Sequence, residues 1–403
     1  MREIFDNDHL NLPDWAAWLI LLTRDDYRNH TNLIQELFFS IEDYNRLFYL
    51  IRAHRLVVPV YSRLKKISWE MPGLFFRKLE AAYRKHKFTS LSKTSDLIHL
   101  TRLFREASIP LIVLKGPALS MILYEEVTHR EFRDLDLLIG PNHLNRALEL
   151  LYNRGYVSEL QDVSDFQWKY YMRNFQEILL THPGSKSQVE LHWRLFGNYL
   201  LFEEDLPGLI NRPSFVKIGE DAIPTLKGAE LAIYLLVHGS LHMWYRLFWL
   251  KDVSVLLSGF KPEEWEELYA RAREKKIVRL VLSGIRLSAE YYGVDVPGNI
   301  FQLSNDSKTR LLCKMVRTTI HAGPEWMQSR GWQRFRRLWY MINLKDDLNY
   351  KIRCIRRTGT NPGDWKILQL PDKLFFLYFI LRPFTWILSR RKTIRKDNKR
   401  TKR

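Results

Sequence analysis

The 403-residue sequence predicts an α+β protein: a small mixed sheet with flanking helices, plus N- and C-terminal helical regions. Three observations carry that expectation. Short apolar runs with period-two alternation are confined to the interval from Leu111 to His192, as strands require. Before and after it, apolar residues recur three and four apart, which is the stripe of a buried helix face. Lys-Gly-Pro and His-Pro-Gly-Ser breaks separate the strand-like runs, and such residues punctuate turns. The chain then divides into a helical region over 1–105, a sheet-bearing core over 106–203, a helical domain over 204–325 and a basic, aromatic region over 326–403.

Composition narrows the function classes. Lys and Arg number 63 against 45 Asp and Glu, a net charge of +18. That balance favours anionic partners: nucleotides, nucleic acid or an acidic membrane surface. Cys313 and Cys354 are the only cysteines, which excludes a disulfide framework and fits a reducing compartment. The opening MREIFDNDHL lacks a basic stretch followed by an apolar one, so the sequence reads as cytoplasmic.

The first region reads as helices. Trp15, Trp18, Leu19 and Leu22 share one face; Leu33, Leu37 and Phe38 another; Leu47, Leu50 and Ile51 a third. His54-Arg55 precede the apolar run Leu56 to Tyr61, which fits a helix end packed on the core. Arg84 to Leu103 opens with Arg84, Lys85 and Lys87 and closes with Leu97, Ile98, Leu100 and Leu103. It is an amphipathic helix leading into the first strand.

The stretch from Pro110 to Gly140 organises the core. Leu111 to Leu114 is a strand, Lys115-Gly116-Pro117 a tight turn, Ala118 to Tyr124 a short helix and Glu125 to Arg133 a charged loop. Asp134 to Ile139 is a second strand. Its alternation places Asp134 and Asp136 on one face and Leu135 and Leu137 on the other. Paired carboxylates repel and need a counter-charge, for which a hard cation such as Mg²⁺ is suited. The plainer alternative is a solvated strand face. Asn142 to Arg154 is a helix ended by Gly155. Phe175 to Leu180 and Gln188 to His192 pair as a hairpin across His182-Pro183-Gly184-Ser185. Glu190 points away from its neighbours Val189 and Leu191, either as a third site carboxylate or as a cross-strand charge partner.

Leu114-Lys115-Gly116, then Tyr124, Arg130 and Asp134-Leu135-Asp136-Leu137-Leu138, resemble a bacterial nucleotidyltransferase family of the DNA polymerase β superfamily. The resemblance continues at Glu190-Leu191-His192-Trp193 and from His238 to Asp252. It implies a polymerase β-like core that transfers a nucleoside monophosphate from an NTP to an acceptor hydroxyl. On that resemblance Asp134, Asp136 and Glu190 are the catalytic carboxylates and hold two Mg²⁺ ions, with Glu190 also placed to accept the acceptor's proton. Lys115, Gly116, Arg130 and Arg133 fall at the nucleotide phosphates. His192, His238, His242, Arg246 and Asp252 are candidates for substrate contact. Pro117 departs from the family superfold, where a serine or glycine commonly follows the turn glycine and donates to the triphosphate. A catalytically inactive nucleotide-binding or scaffold protein of the same fold therefore remains an alternative. A basic nucleic-acid-binding accessory protein is a third, opposed by the acidic cluster and the lack of a zinc finger or recognition-helix motif. A small-molecule or protein acceptor is favoured over nucleic acid.

Helices follow over Gly228 to Leu257, Glu263 to Tyr292 and Ser307 to Ile320. His238 and His242 share a helix face, but Gly239 stands where a zinc hydrolase needs its glutamate. Their ordinary role is bonding to loops or to Asp252. Leu374 to Leu388 is dense in aromatics, yet Arg382 and Pro383 interrupt a run shorter than the roughly 20 residues of a membrane span. SRRKTIRKDNKRTKR follows it. Three readings compete, in this order: an anchor on an anionic membrane at its inner face, a helix docked on the core with a disordered tail, and a nucleic-acid arm. Trp332, Phe335, Trp339 and Ile342, among Arg334, Arg336 and Arg337, belong to the same basic, aromatic surface.

Overall fold

Seven strands form one sheet: β1 (Leu111–Val113), β2 (Leu135–Ile139), β3 (Val157–Ser158), β4 (Glu177–Thr181), β5 (Gln188–His192), β6 (Ser214–Ile218) and β7 (Asp221–Thr225). The computed structural model describes residues 12–67, 69–197, 201–327, 332–356, 360, 362–382 and 384–385. Strand order is β3-β4-β5-β2-β1-β7-β6. β2 runs antiparallel to β1 and parallel to β5, and β4 and β5 form the expected antiparallel hairpin. The turn of that hairpin closes with the His182 amide donating to the Ser187 carbonyl at 2.9 Å.

The sheet divides two apolar cores because its strands alternate. Ile112 and Leu114 face one core, while Leu111 and Val113 face the other. The first core is helical. Helices Asp14–Thr23, Thr31–Ser40, Tyr44–Ala53 and Val57–Leu64 pack there with Gly228–Leu241, Leu247–Ser258, Val278–Tyr292 and Ser307–His321. The second gathers Leu135, Leu137, Val189 and Leu191 from the sheet with Leu144, Leu148 and Leu151 from helix Leu144–Asn153. The 34-residue helix Gly73–Glu106 joins them. Phe75 and Leu79 at its start enter the first core, and Leu97, Leu100 and Phe104 near its end enter the second.

Several expectations need correction. The helix expected over Gly228 to Leu257 is two, ending at Leu241 and restarting at Leu247. Met243 and Trp244 between them both adopt φ of 51°, in the left-handed region that non-glycine residues seldom occupy. The Trp244 indole folds back into space that a β-carbon on Gly239 or Gly284 would invade. The run from Glu263 to Tyr292 likewise splits at Lys275 to Ile277 into Pro262–Glu274 and Val278–Tyr292. Apolar spacing continues across both breaks, so periodicity conceals them. Conversely, β6 and β7 occupy a stretch expected to be helical. Gly219, with φ of 60°, closes their two-residue turn, a geometry in which glycine is at ease.

The aromatic segment expected to lie in a membrane interface is half docked on the protein. Phe375 and Tyr378 are buried in the second core. The Tyr378 hydroxyl donates to the Leu368 carbonyl at 2.6 Å and accepts from the Leu370 amide at 3.0 Å. Arg382 pairs with Asp364, which also accepts from Thr385 at 2.7 Å. Phe376, Phe379, Ile380 and Phe384 remain exposed. The polybasic run from Arg390 to Arg403 lies outside the described residues. Among the described residues no helix is long and apolar enough to cross a membrane.

Candidate active site

Strand register builds the acidic wall. Asp136 on β2 lies opposite Glu190 on β5, and Leu138 opposite His192. Glu177 on β4 lies opposite His192. Cross-strand partners and residues two apart share a face, so Asp136, Glu190, His192 and Glu177 project together. Val189 and Leu191 point the other way and anchor the strand in the second core. Asp134, just before β2, is half-buried and lines the same cavity.

That cavity has a volume of about 320 Å³. On its sheet side, the Lys115 ammonium lies 2.7 Å from Asp136 Oδ1. Lys115 is held over the site because Gly116, at φ of 66°, turns the chain from β1 into helix Gly116–Tyr124. His192 Nε2 is 3.6 Å from Asp136 Oδ1 and 3.9 Å from Glu190 Oε2, and its Nδ1 is 3.3 Å from Glu177 Oε2. Neither ring nitrogen makes a well-formed hydrogen bond among the described residues, although the ring is only 4% exposed. Burial works to raise the Asp136 pKa, but the charge of Lys115 and the His192 imidazole hold it well below the usual range. Glu190 behaves oppositely. Burial, and then the charges of Asp136, Glu177 and Asp134, push it above the carboxylate range.

Helix ends and a later helix form the facing wall. Arg55 follows helix Tyr44–Ala53, Arg246 precedes helix Leu247–Ser258, and Arg337 lies on helix Trp332–Asn343. All three line the cavity, and none makes an ion pair among the described residues. The Arg55 guanidinium lies 5.2 Å from the Phe248 ring centre, and Arg246 lies 5.0 Å from that of Tyr245. Burial and then the nearby Arg246 lower the Arg55 pKa to about 10. Burial lowers Arg246 as well. Arg55 and Arg246 are half-buried and Arg337 exposed; the charge of Asp134 opposes the lowering at Arg55 and Arg246, and this wall still carries more cations than carboxylates. His238 and His242 line the wall beside Trp249, His242 stacking on its ring at 4.8 Å. Burial, with Lys115 among the nearby cations, keeps both imidazoles neutral.

Among the described residues the two histidines do not bond to Asp252, one of the two partners expected for them from sequence. Asp252 accepts from Tyr124 at 2.8 Å and from Arg130 Nε at 2.7 Å. This buried triad ties helix Gly116–Tyr124 and the loop after it to helix Leu247–Ser258. Arg130 also lines the cavity, whereas Asp252, Gly116 and Arg133 do not. Glu177, Tyr234, Tyr245, Arg55 and Arg337 escape the sequence reading as site residues. Glu177 alone carried a usable signal, being two residues into the hairpin strand that faces Glu190.

The residues suit a divalent cation. Donor atoms of Asp136, Glu190 and His192 all lie within 4.8 Å of one another, and the buried imidazole nitrogens lack a well-formed hydrogen bond among the described residues. Asp134 stands in the cavity but outside this group of donors. The cavity sets the carboxylates of the sheet against the arginines of the facing helices. The chain belongs to the uncharacterised nucleotidyltransferase family, whose model matches residues 40–293. The match includes all three strands of the acidic wall, Arg55 and Arg246, and stops before Arg337. No curated protein sequence matches the chain.

Proposed function

We propose that the protein transfers a nucleoside monophosphate from an NTP to an acceptor hydroxyl on a small molecule or protein, with release of pyrophosphate. The observation that carries this reading is the cavity's polarity: Asp136 and Glu190 on one wall, and on the other Arg55 and Arg246, which make no ion pair among the described residues. A triphosphate with its cation is complementary to both walls at once.

Asp134, Asp136 and Glu190 are the carboxylates for the cation, of which Mg²⁺ is the ordinary choice in this chemistry. When bound, such an ion neutralises phosphate charge and acidifies a coordinated hydroxyl. The remaining work falls to the protein. Arg55 and Arg246 hold phosphate oxygens by charge-assisted hydrogen bonds, replacing the donor that Pro117 removes from the turn. Lys115, tethered by Asp136, stands ready to neutralise a phosphate oxygen. Arg130 is committed to Asp252 and positions the loop before β2. Tyr245, half-buried at the cavity, offers an aromatic ring for a base or acceptor.

Calorimetry with each of the four NTPs and Mg²⁺ tests the reading. Wild-type protein should bind at least one NTP only with cation present, and Asp136→Asn should abolish that binding. Cation-independent binding, or full retention in Asp136→Asn, would defeat the site assignment.

A second association rests on the exposed Phe376, Phe379, Ile380 and Phe384 beside the polybasic end of the chain. This face takes an anionic membrane surface as its partner, since aromatics enter the headgroup boundary while basic residues meet lipid charge.

A further inference from the structure

We propose that His192 is itself a metal ligand, oriented by Glu177, and that the site prefers Mn²⁺ to Mg²⁺. The inference rests on the reading that this cavity holds a divalent cation, and it changes which cation and which ligands.

Three observations converge on His192. Its Nε2 faces Asp136 and Glu190 at 3.6 and 3.9 Å, too far for good hydrogen bonds but right for atoms sharing one ion. Its Nδ1 faces Glu177 Oε2 at 3.3 Å. Among the described residues both nitrogens are buried without a well-formed hydrogen bond, a costly condition for an imidazole with no other task. The arrangement carboxylate, then imidazole, then shared donor space is how ligating histidines are held: the outer ring N–H donates a hydrogen bond to a carboxylate, which fixes the tautomer. Strand register enforces it, since Glu177 and His192 are cross-strand partners and Glu190 lies two residues before His192.

The donor set then decides the metal. Mg²⁺ favours oxygen ligands and retains its waters. Imidazole nitrogen adds affinity for first-row transition ions, while the two carboxylates keep the site hard. Mn²⁺ satisfies both, and its chemistry with phosphates parallels that of Mg²⁺. An all-oxygen set completed by Asp134 in place of His192 would erase the preference.

The test uses full-length, metal-free protein titrated with MnCl2 alone and read by electron paramagnetic resonance. Bound Mn²⁺ should show a nitrogen coupling in its spin-echo modulation, and it should bind at least ten-fold more tightly than Mg²⁺ in competition. His192→Gln should abolish the coupling and bring the two affinities together, with an unchanged thermal unfolding curve. Glu177→Gln should keep the fold and weaken Mn²⁺ about ten-fold, which decides the matter if His192→Gln does not fold. Bound Mn²⁺ without nitrogen coupling, coupling that persists in His192→Gln, or equal affinity for the two ions would overturn the assignment. NTP turnover is read separately on the same preparation. Coupling without turnover leaves His192 a ligand and removes the nucleotidyl-transfer reading; turnover with Mg²⁺ and no coupling does the reverse.

Discussion

The two walls of the cavity are built by opposite means. The acidic wall comes from neighbouring positions in hydrogen-bonded strands, where register alone sets Asp136 beside Glu190 and Glu177 beside His192. The basic wall comes from Arg55, Arg246 and Arg337, brought together from helix ends and a helix far apart in the chain. A sheet fixes its side chains by backbone geometry, so its charges can be forced close. Helix ends depend on packing, here on Phe248 and on the Trp244 reversal, and their charges stay looser. On the proposed function, cation binding, which demands donors at fixed separation, falls to the sheet, and phosphate recognition, which tolerates more movement, falls to the helices.

Breaking the acidic wall should have the largest effect. Asp136→Asn is expected to lower turnover on the order of 10³-fold or more, because cation and phosphate charge are then uncompensated. Stopped assays of pyrophosphate release check this; a loss under ten-fold would place the cation elsewhere. Arg55→Ala and Arg246→Ala should each weaken NTP binding by about 1.5–3 kcal/mol, the range for hydrogen bonds to charged groups. Binding of cation alone should be untouched, and calorimetry can separate the two. Arg337→Ala should do less, because Arg337 is exposed and exposed pairs contribute about 0–1 kcal/mol.

pH sharpens the same contrast. Without cation, Glu190 has a folded-state pKa raised by burial and by its carboxylate neighbours. Stability that it contributes in acid is lost as pH climbs from the ordinary glutamate range through the raised value. A divalent cation offsets that loss by binding the ionised form. Cation-induced stabilisation, followed by thermal unfolding, should grow as pH rises from 5 to 8. A shift that shrinks over this window would contradict the charge assignment.

The acidic wall was legible in the sequence because period-two alternation is a short-range rule. Asp136 and Glu190 could be placed on strand faces from their immediate neighbours, while Asp134, expected on the same strand, precedes it and stays outside the group of donors. His192 was visible only as a substrate-contact candidate, since its closeness to Glu177 depends on hairpin register. The basic wall was largely hidden. Arg55 read as a helix end, and nothing local distinguishes it from Arg52. The β6–β7 hairpin and the reversal at Met243 and Trp244 were hidden too. In the reversal, Gly239 mattered for an indole five residues away rather than for a turn of its own. At the C-terminus composition suggested a membrane face, and structure divides it: Phe375 and Tyr378 go to the core, Phe376 and Phe379 to the surface.

The most direct measurement follows which phosphate leaves. The protein is incubated with NTPs labelled at the α or the γ position, a divalent cation, and candidate acceptors that include the protein itself. The two-walled cavity predicts that α label moves to an acceptor, that γ label leaves as pyrophosphate, and that Asp136→Asn does neither. Transfer of γ label, release of orthophosphate alone, or unchanged transfer by Asp136→Asn would contradict it.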